Sequence, residues 1–156
     1  MKKLVLSLVL ISLFSCSDDD DQSNSSTSGC SSGQVCDAAA ASDEVAIDMP
    51  AYTVGVYETV CDYASDDSPF AIGTTATFEI TEDESLIVSI DGFDCVEVKN
   101  PYAKDYFEPD SNNFFYKDEC LHDLAFNVSF DTSDNFNEVN VQPLVGEGFY
   151  GQFKLQ

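Results

Sequence analysis

Residues 124–130 read LAFNVSF, and this stretch decides the fold because apolar and more polar side chains alternate along it. Leu124, Phe126, Val128 and Phe130 fall on one face of an extended chain. Alternation with a period of two is typical of a β-strand that packs one face on a core and exposes the other. The stretch therefore predicts a half-buried strand.

The same alternation recurs on both sides of this strand. Toward the C-terminus it predicts strands at about 139–142 and 149–155; toward the N-terminus it predicts strands at about 52–61, 75–81, 86–91, 93–99 and, more weakly, 114–117. Residues that favour turns, chiefly Gly, Asp, Asn and Ser, separate these segments. Seven or eight short strands with tight turns predict an all-β domain. We expect a single antiparallel meander, either a small barrel that is lipocalin-like in outline or a sandwich.

One stretch, residues 100–113, does not alternate and is long for a loop inside a compact domain. Such loops are often functional. It carries or adjoins four aromatic residues that are candidates for ligand binding: Tyr102, Tyr106, Phe107 and Phe115. If these side chains are exposed, they form a platform for a glycan or a protein partner. The alternative is that their rings pack over the end of the barrel. The absence of tryptophan weighs against the sugar platform.

The N-terminus carries a targeting segment. Lys2 and Lys3 precede an eleven-residue run, residues 4–14, in which nine residues are apolar. A run of this length is too short to span about 30 Å of hydrocarbon as a helix, so residues 1–15 are interpreted as a signal peptide. Its end, LFSC at residues 13–16, resembles the lipobox of bacterial lipoproteins. The resemblance implies cleavage before Cys16 and attachment of lipid to that cysteine, which anchors the protein in a membrane.

An acidic run follows the cysteine immediately. Its members are Ser17, Asp18, Asp19, Asp20 and Asp21. The run is similar to the surface-export signal of lipoproteins in Bacteroidota, especially flavobacteria. That resemblance implies an outer-membrane location facing the cell exterior, although acidic runs also occur in plain tethers and a periplasmic face stays open.

Residues 16–48 are interpreted as a flexible tether because Ser, Thr, Asn and Gly dominate their first half. The folded domain is then predicted to cover residues 49–156. With Cys16 carrying lipid, five cysteines remain in an oxidising compartment, so disulfides are expected and at least one thiol is left over. We favour Cys30 with Cys36 and Cys61 with Cys95, leaving Cys120, although sequence alone does not fix the connectivity.

The composition excludes one class of function and disfavours others. Six lysines and no arginine stand against 29 carboxylates, a formal charge of −23, so nucleic-acid binding is excluded. The lone histidine, His122, has no nucleophile motif around it, so we predict a non-enzymatic protein. No metal site is predicted from spacing, although the oxygen-rich segment 131–138 leaves a structural calcium open as a cofactor. The function we expect is glycan or protein binding. The alternative is a structural, envelope-associated role with no small-molecule ligand, and a small hydrolase comes third.

Overall fold

The computed structural model describes Cys30, residues 34–104 and residues 112–156. Within these ranges the chain is all-β, and its one helical element is the single 3-10 turn Ala51–Thr53. The eleven strands are β1 (Val35–Cys36), β2 (Glu44–Ala46), β3 (Gly55–Ala64), β4 (Thr75–Ile80), β5 (Leu86–Ile90), β6 (Val96–Val98), β7 (Tyr102–Lys104), β8 (Asn113–Asp118), β9 (Leu124–Phe130), β10 (Phe136–Pro143) and β11 (Gly151–Leu155). No helix in the described part of the chain is long and apolar enough to cross a membrane.

All eleven strands belong to one curled sheet that forms a half-barrel. Strands β3 to β6 pair in chain order as one antiparallel meander, and β7 to β11 pair in chain order as a second. Pairing of β11 with β3 joins the two meanders. Strands β6 and β7, which are neighbours in the chain, do not pair, so the sheet is open between them. We call this opening the seam.

Local backbone geometry explains the seam. Only three residues, 99–101, connect β6 to β7, but Asn100 lies in the left-handed region with φ of 60°. Asparagine tolerates this conformation better than most residues. Its amide donates to Asp37 Oδ1 at 2.6 Å and to the Ala38 carbonyl at 3.1 Å. The connection therefore bends toward the N-terminal part of the chain instead of closing a hairpin.

Residues 34–48, here called the clasp, occupy both sides of the seam. β1 runs parallel to β6, and β2 runs antiparallel to β7. Cys36 is fully buried and Ala38 is 7% exposed, so both belong to the core. The prediction of a tether through residue 48 is wrong for residues 34–48. Two or three residues paired with a distant strand carry no periodicity of their own, so the sequence pattern gives no sign of them.

The disulfide pairing also differs from the prediction. Cys30 is bonded to Cys95, between β5 and β6, and Cys36 is bonded to Cys120, between β8 and β9. Cys61 is a buried free thiol. The predicted pairs Cys30–Cys36 and Cys61–Cys95 are wrong because β1 extends the chain along β6, and because Cys61 points into the core from β3.

A buried ion pair fastens the second side of the clasp. Lys117 Nζ lies 2.7 Å from Glu44 Oε2, and the two side chains are 5% and 14% exposed. Burial is the largest single effect on Glu44 and raises its pKa, but the Ala41 N–H, Lys117 and Lys104 together outweigh it, and the net pKa is lowered. Glu44 is therefore held as a carboxylate beside its cation.

The core lies on the concave side of the sheet. Its largest fully buried apolar side chains come from both meanders: Phe78, Phe126, Phe153, Ile80, Leu86, Val96, Val98, Val128, Val139 and Val141. The eight predicted strands correspond to β3–β6 and β8–β11, which confirms the all-β class. The sheet has eleven strands, however, and the β1–β6 pair makes it mixed. The apolar faces meet within one curled sheet, so the sandwich alternative does not describe it.

Candidate functional site

The predicted aromatic platform is wrong for the two members that the structure describes. Tyr102 is 2% exposed and Phe115 is 3% exposed, with ring centroids 5.7 Å apart. Lys117 Nζ lies 5.3 Å from the Tyr102 ring centroid, and Lys104 Nζ lies 4.9 Å from that of Phe115. These rings are packed against cationic side chains and cannot stack on a ligand.

The remaining predicted site residues fall outside the described part of the chain. Tyr106 and Phe107 do so, and so do Cys16 and the acidic run Ser17, Asp18, Asp19, Asp20 and Asp21. Lipid attachment and surface export therefore stay predictions.

A different pair of aromatic residues is accessible on the outer face of the sheet. Tyr63, near the end of β3, is 53% exposed. The half-buried Tyr150 lies just before β11, and the two ring centroids are 6.0 Å apart, with ring planes tilted by 53°. We call Tyr63 and Tyr150 the tyrosine pair.

Strand register brings polar side chains to the same face. Tyr63 stands opposite Gln152 of β11, which stands opposite Asn140 of β10. Opposite residues in paired strands share a face and have adjacent side chains. Three strands therefore supply one surface in which Tyr63 adjoins Gln152, and Gln152 adjoins Asn140.

A hydrogen-bond network holds Tyr150 and the amides in place. Tyr150 Oη donates to Asn140 Oδ1 at 2.5 Å, and Asn140 Nδ2 donates to Glu138 Oε1 at 2.9 Å. Gln152 Nε2 donates to Glu138 Oε2, also at 2.9 Å. Both oxygens of one carboxylate thus fix the two amides, which leaves a surface with little side-chain freedom to lose on binding.

The protonation state of Tyr150 follows from its surroundings. Burial, and secondarily the negative charge of Glu138, raises the pKa of the phenol. Tyr150 is therefore protonated at neutral pH, and its O–H donates a hydrogen bond to Asn140 Oδ1.

One lysine lies in the middle of this face. Lys154 Nζ is 3.6 Å from Asp62 and 3.8 Å from Glu138. Its positive charge is matched by two carboxylates, so the face carries no net positive charge. Pairs as exposed as this contribute little to stability.

Two local features produce the geometry. The register of β11 and β3 shifts between Gln152 and Phe153, so Asp62 is an extra residue that lets Tyr63 face outward while Cys61 stays in the core. Gly151 is required by a close approach, because a Cβ there would lie 2.7 Å from the Phe70 ring. Phe70 packs beneath β11, and Tyr150 and Gln152 flank the glycine.

Two other groups in the described ranges have structural roles. His122 Nε2 is 2.8 Å from the Asp94 carbonyl, and its ring packs edge-on against Phe93. Cys36, Asp118 and Cys120 are close enough together to hold a metal, but the two sulfurs are bonded to each other. The Asp118 carboxylate accepts three backbone N–H groups, from residues 120, 121 and 122.

In residues 131–138, the oxygen-rich segment considered for calcium, the Asp131 carboxylate accepts hydrogen bonds from the turn that it belongs to. Asp131 Oδ1 accepts the backbone N–H of Ser133 at 2.7 Å and of Asn135 at 3.1 Å. These bonds lower the pKa of Asp131. The carboxylate is thus already satisfied by hydrogen bonds that shape the turn.

Sequence reasoning missed the tyrosine pair, although part of the signal was present. Alternation over residues 149–155 places Tyr150, Gln152 and Lys154 on the polar face of one strand. The approach of Tyr63 depends on the bulge and on the pairing of β3 with β11, which link residues nearly 90 positions apart in the chain.

Comparison with protein-family models, with curated proteins and with solved structures found no match to this chain.

Proposed function

We propose that this protein is a lipid-anchored lipoprotein of the outer membrane, facing the cell exterior, whose β domain binds a glycan without catalysis. The lipobox at residues 13–16 and the acidic run behind it support the anchor and the location. The tyrosine pair with its hydrogen-bonded amides is the observation that carries the binding role.

The chemistry of the outer face suits a sugar. A pyranose ring presents apolar C–H groups on one side, which pack on an exposed aromatic ring such as Tyr63. Its hydroxyls donate and accept hydrogen bonds around the rim, where Asn140 and Gln152 offer amide groups. A few fixed polar groups beside an aromatic surface are the usual composition of a small-ligand site.

The binding role is tested on a glycan array with the folded domain. Tyr63→Ala removes the ring with little cost to stability, and we expect it to abolish the signal. Tyr63→Phe keeps the ring and is the matched control, which should retain most of the binding. Equal binding by the wild type and Tyr63→Ala would refute the site.

The anchor is tested separately in cells. Mass spectrometry of the mature N-terminus should find an acylated Cys16, and Cys16→Ser should release the protein from the membrane. Protease treatment of intact cells should remove the domain if it faces the exterior. Protection from protease with lipidation intact would place it on the periplasmic side.

A second candidate function is association with an envelope protein. Val54, Val56 and Leu155 are 41%, 54% and 51% exposed, and Val56 and Leu155 line one shallow groove. Exposed apolar side chains that lie together mark protein contacts. Crosslinking in cells that captures one envelope protein, lost in Val56→Asp and retained in Tyr63→Ala, would favour this candidate.

A further inference from the structure

A second concave feature lies on the same outer face as the tyrosine pair. It is a trough of about 320 Å³ across β3, β4 and β5. Short hydroxyl side chains form its middle, and longer polar ones form its walls: Thr75, Thr77, Ser89, Glu58, Asp91 and Gln156. The trough exists because Glu58, Thr77 and Ser89 stand opposite one another in register, and the two short residues leave space beside the long one.

The trough and the tyrosine pair are continuous. Thr75 stands opposite Val60, Val60 opposite Lys154, and Lys154 opposite Glu138, so one row of outward side chains runs from the trough to the hydrogen-bond network. Along β3, Glu58 precedes Tyr63 by five residues, which is somewhat less than the roughly 16 Å of a regular strand because Asp62 is the bulge residue. This span exceeds a single sugar ring, so one monosaccharide cannot occupy both places.

The charges of the surface select among ligands. The trough contains two carboxylates and no cation, and one of the carboxylates, Asp91, accepts a hydrogen bond from Thr75 Oγ1 at 2.5 Å. Between the trough and the tyrosine pair, Lys154 is already matched by Asp62 and Glu138. With a formal charge of −23 on the whole chain, an anionic polymer would be repelled.

The geometry points to a linear, neutral oligosaccharide as the ligand, lying along β3 with one end on the tyrosine pair and further rings in the trough. This assignment rests on the proposed glycan-binding function and adds to it the length and the charge of the ligand. A basic peptide would also suit the carboxylates of the trough, but Asp62 and Glu138, the carboxylates beside the tyrosine pair, are already paired with Lys154.

Calorimetry with neutral gluco-, manno- and xylo-oligosaccharides, from dimer to hexamer, tests the assignment on the folded protein. For whichever of these sugars binds, we expect the affinity to rise by about tenfold from dimer to hexamer. The longer oligosaccharide occupies the trough as well as the tyrosine pair, and a second linked subsite adds to the first. Thr77→Phe fills the trough with a residue that suits a strand. It should abolish the gain with length and leave dimer binding unchanged, whereas the matched control Thr77→Ser should keep the gain.

The outcomes separate the two proposals. Dimer and hexamer binding with equal affinity would overturn the extended ligand and leave the tyrosine site standing. Silence toward every oligosaccharide, the dimer included, would overturn the proposed function and the extended ligand with it. Binding of oligolysine that competes with the sugar and disappears in high salt would replace the neutral ligand by a basic peptide.

Discussion

One row of outward side chains crosses the sheet and has opposite character at its two ends. It runs through paired residues of six strands: Tyr63, Gln152, Asn140, Asn127, Phe115 and Tyr102. Tyr63 is 53% exposed at one end, whereas Tyr102 is 2% exposed at the other. The same residue type, on the same face of the same sheet, is accessible at one end and structural at the other.

The clasp marks the difference between the two ends. Near Tyr102 the sheet carries β2 and the ion pair of Glu44 with Lys117, and both faces of β8 are largely buried. The Cys36–Cys120 disulfide ties the clasp to the segment that follows β8. Among the described residues, the outer face near Tyr63 carries the hydrogen-bonded side chains of Tyr150, Asn140 and Gln152. Four changes test this contrast.

The largest effect is expected from removing the Cys36–Cys120 disulfide. It closes a long loop, because its two cysteines have a sequence separation of 84. The double variant Cys36→Ala/Cys120→Ala should lose about 4 kcal/mol of unfolding free energy, measured by urea denaturation. Glycan binding by the fraction that stays folded should be unchanged. Loss of binding in fully folded variant protein would show that the two ends of the row are coupled.

Of the two tyrosines, Tyr102 should matter for stability and Tyr63 for binding. Tyr102→Ala removes a buried ring and should cost about 3 to 4 kcal/mol of unfolding free energy. Tyr63→Ala removes an exposed ring and should change it by less than about 0.5 kcal/mol. Denaturation of both variants in parallel, with binding measured on each, checks the contrast. A strongly destabilised Tyr63→Ala would mean that its ring is part of the core.

The buried ion pair should show an asymmetric response to mutation. Lys117→Met leaves Glu44 without its cation and should cost about 3 kcal/mol. The double variant Glu44→Gln/Lys117→Met removes both charges and should recover most of that loss. A double variant no more stable than Lys117→Met would mean that the packing of the lysine, and not its charge, stabilises the clasp.

The smallest effect is a dependence on pH. The pKa of Glu44 is lower in the folded protein than in the unfolded chain, so its stabilisation is complete above the unfolded pKa and is lost as the pH falls through the folded one. The stability advantage of the wild type over Glu44→Gln should shrink below about pH 4. An advantage that is constant between pH 6 and pH 3 would contradict this reading. Using the difference between the two proteins removes the contribution of the other carboxylates.

The sequence predicts the long strands of this fold but not the short strands and disulfides that hold the two sides of the seam. Residues 124–130 and the similar segments predict eight strands because alternation is a local property that burial of one face imposes. Strands β1, β2 and β7 have two or three residues each, and only distant partners make them strands. The disulfides follow from the same long-range pairing, so nearness of Cys30 and Cys36 in the chain was misleading.

The sequence predicted the type of binding surface, an aromatic one, but not the residues that form it. The sequence predicts exposed aromatic residues on a binding surface. However, Tyr102 and Tyr63 both lie among residues of mixed polarity, so the local sequence does not show which of the two is exposed. At one end of the row Lys117, held by Glu44 of the clasp, lies over the Tyr102 ring, and at the other end the bulge at Asp62 turns Tyr63 outward. Both features require the register of strands that are far apart in sequence.

The two disulfides have a mechanical consequence. A pull on the N-terminal side reaches Cys30 first, and there it passes through a covalent bond to Cys95, at the turn that leads into β6. Any load that continues along the chain reaches Cys36, which is bonded to Cys120 on the opposite side of the seam. The short strand β1 therefore cannot be peeled from the sheet by tension alone. In a domain held at a membrane by its N-terminus, drag on a captured polymer would pass from the sheet to the tether through the Cys30–Cys95 bond, and the short strand β1 would stay unloaded.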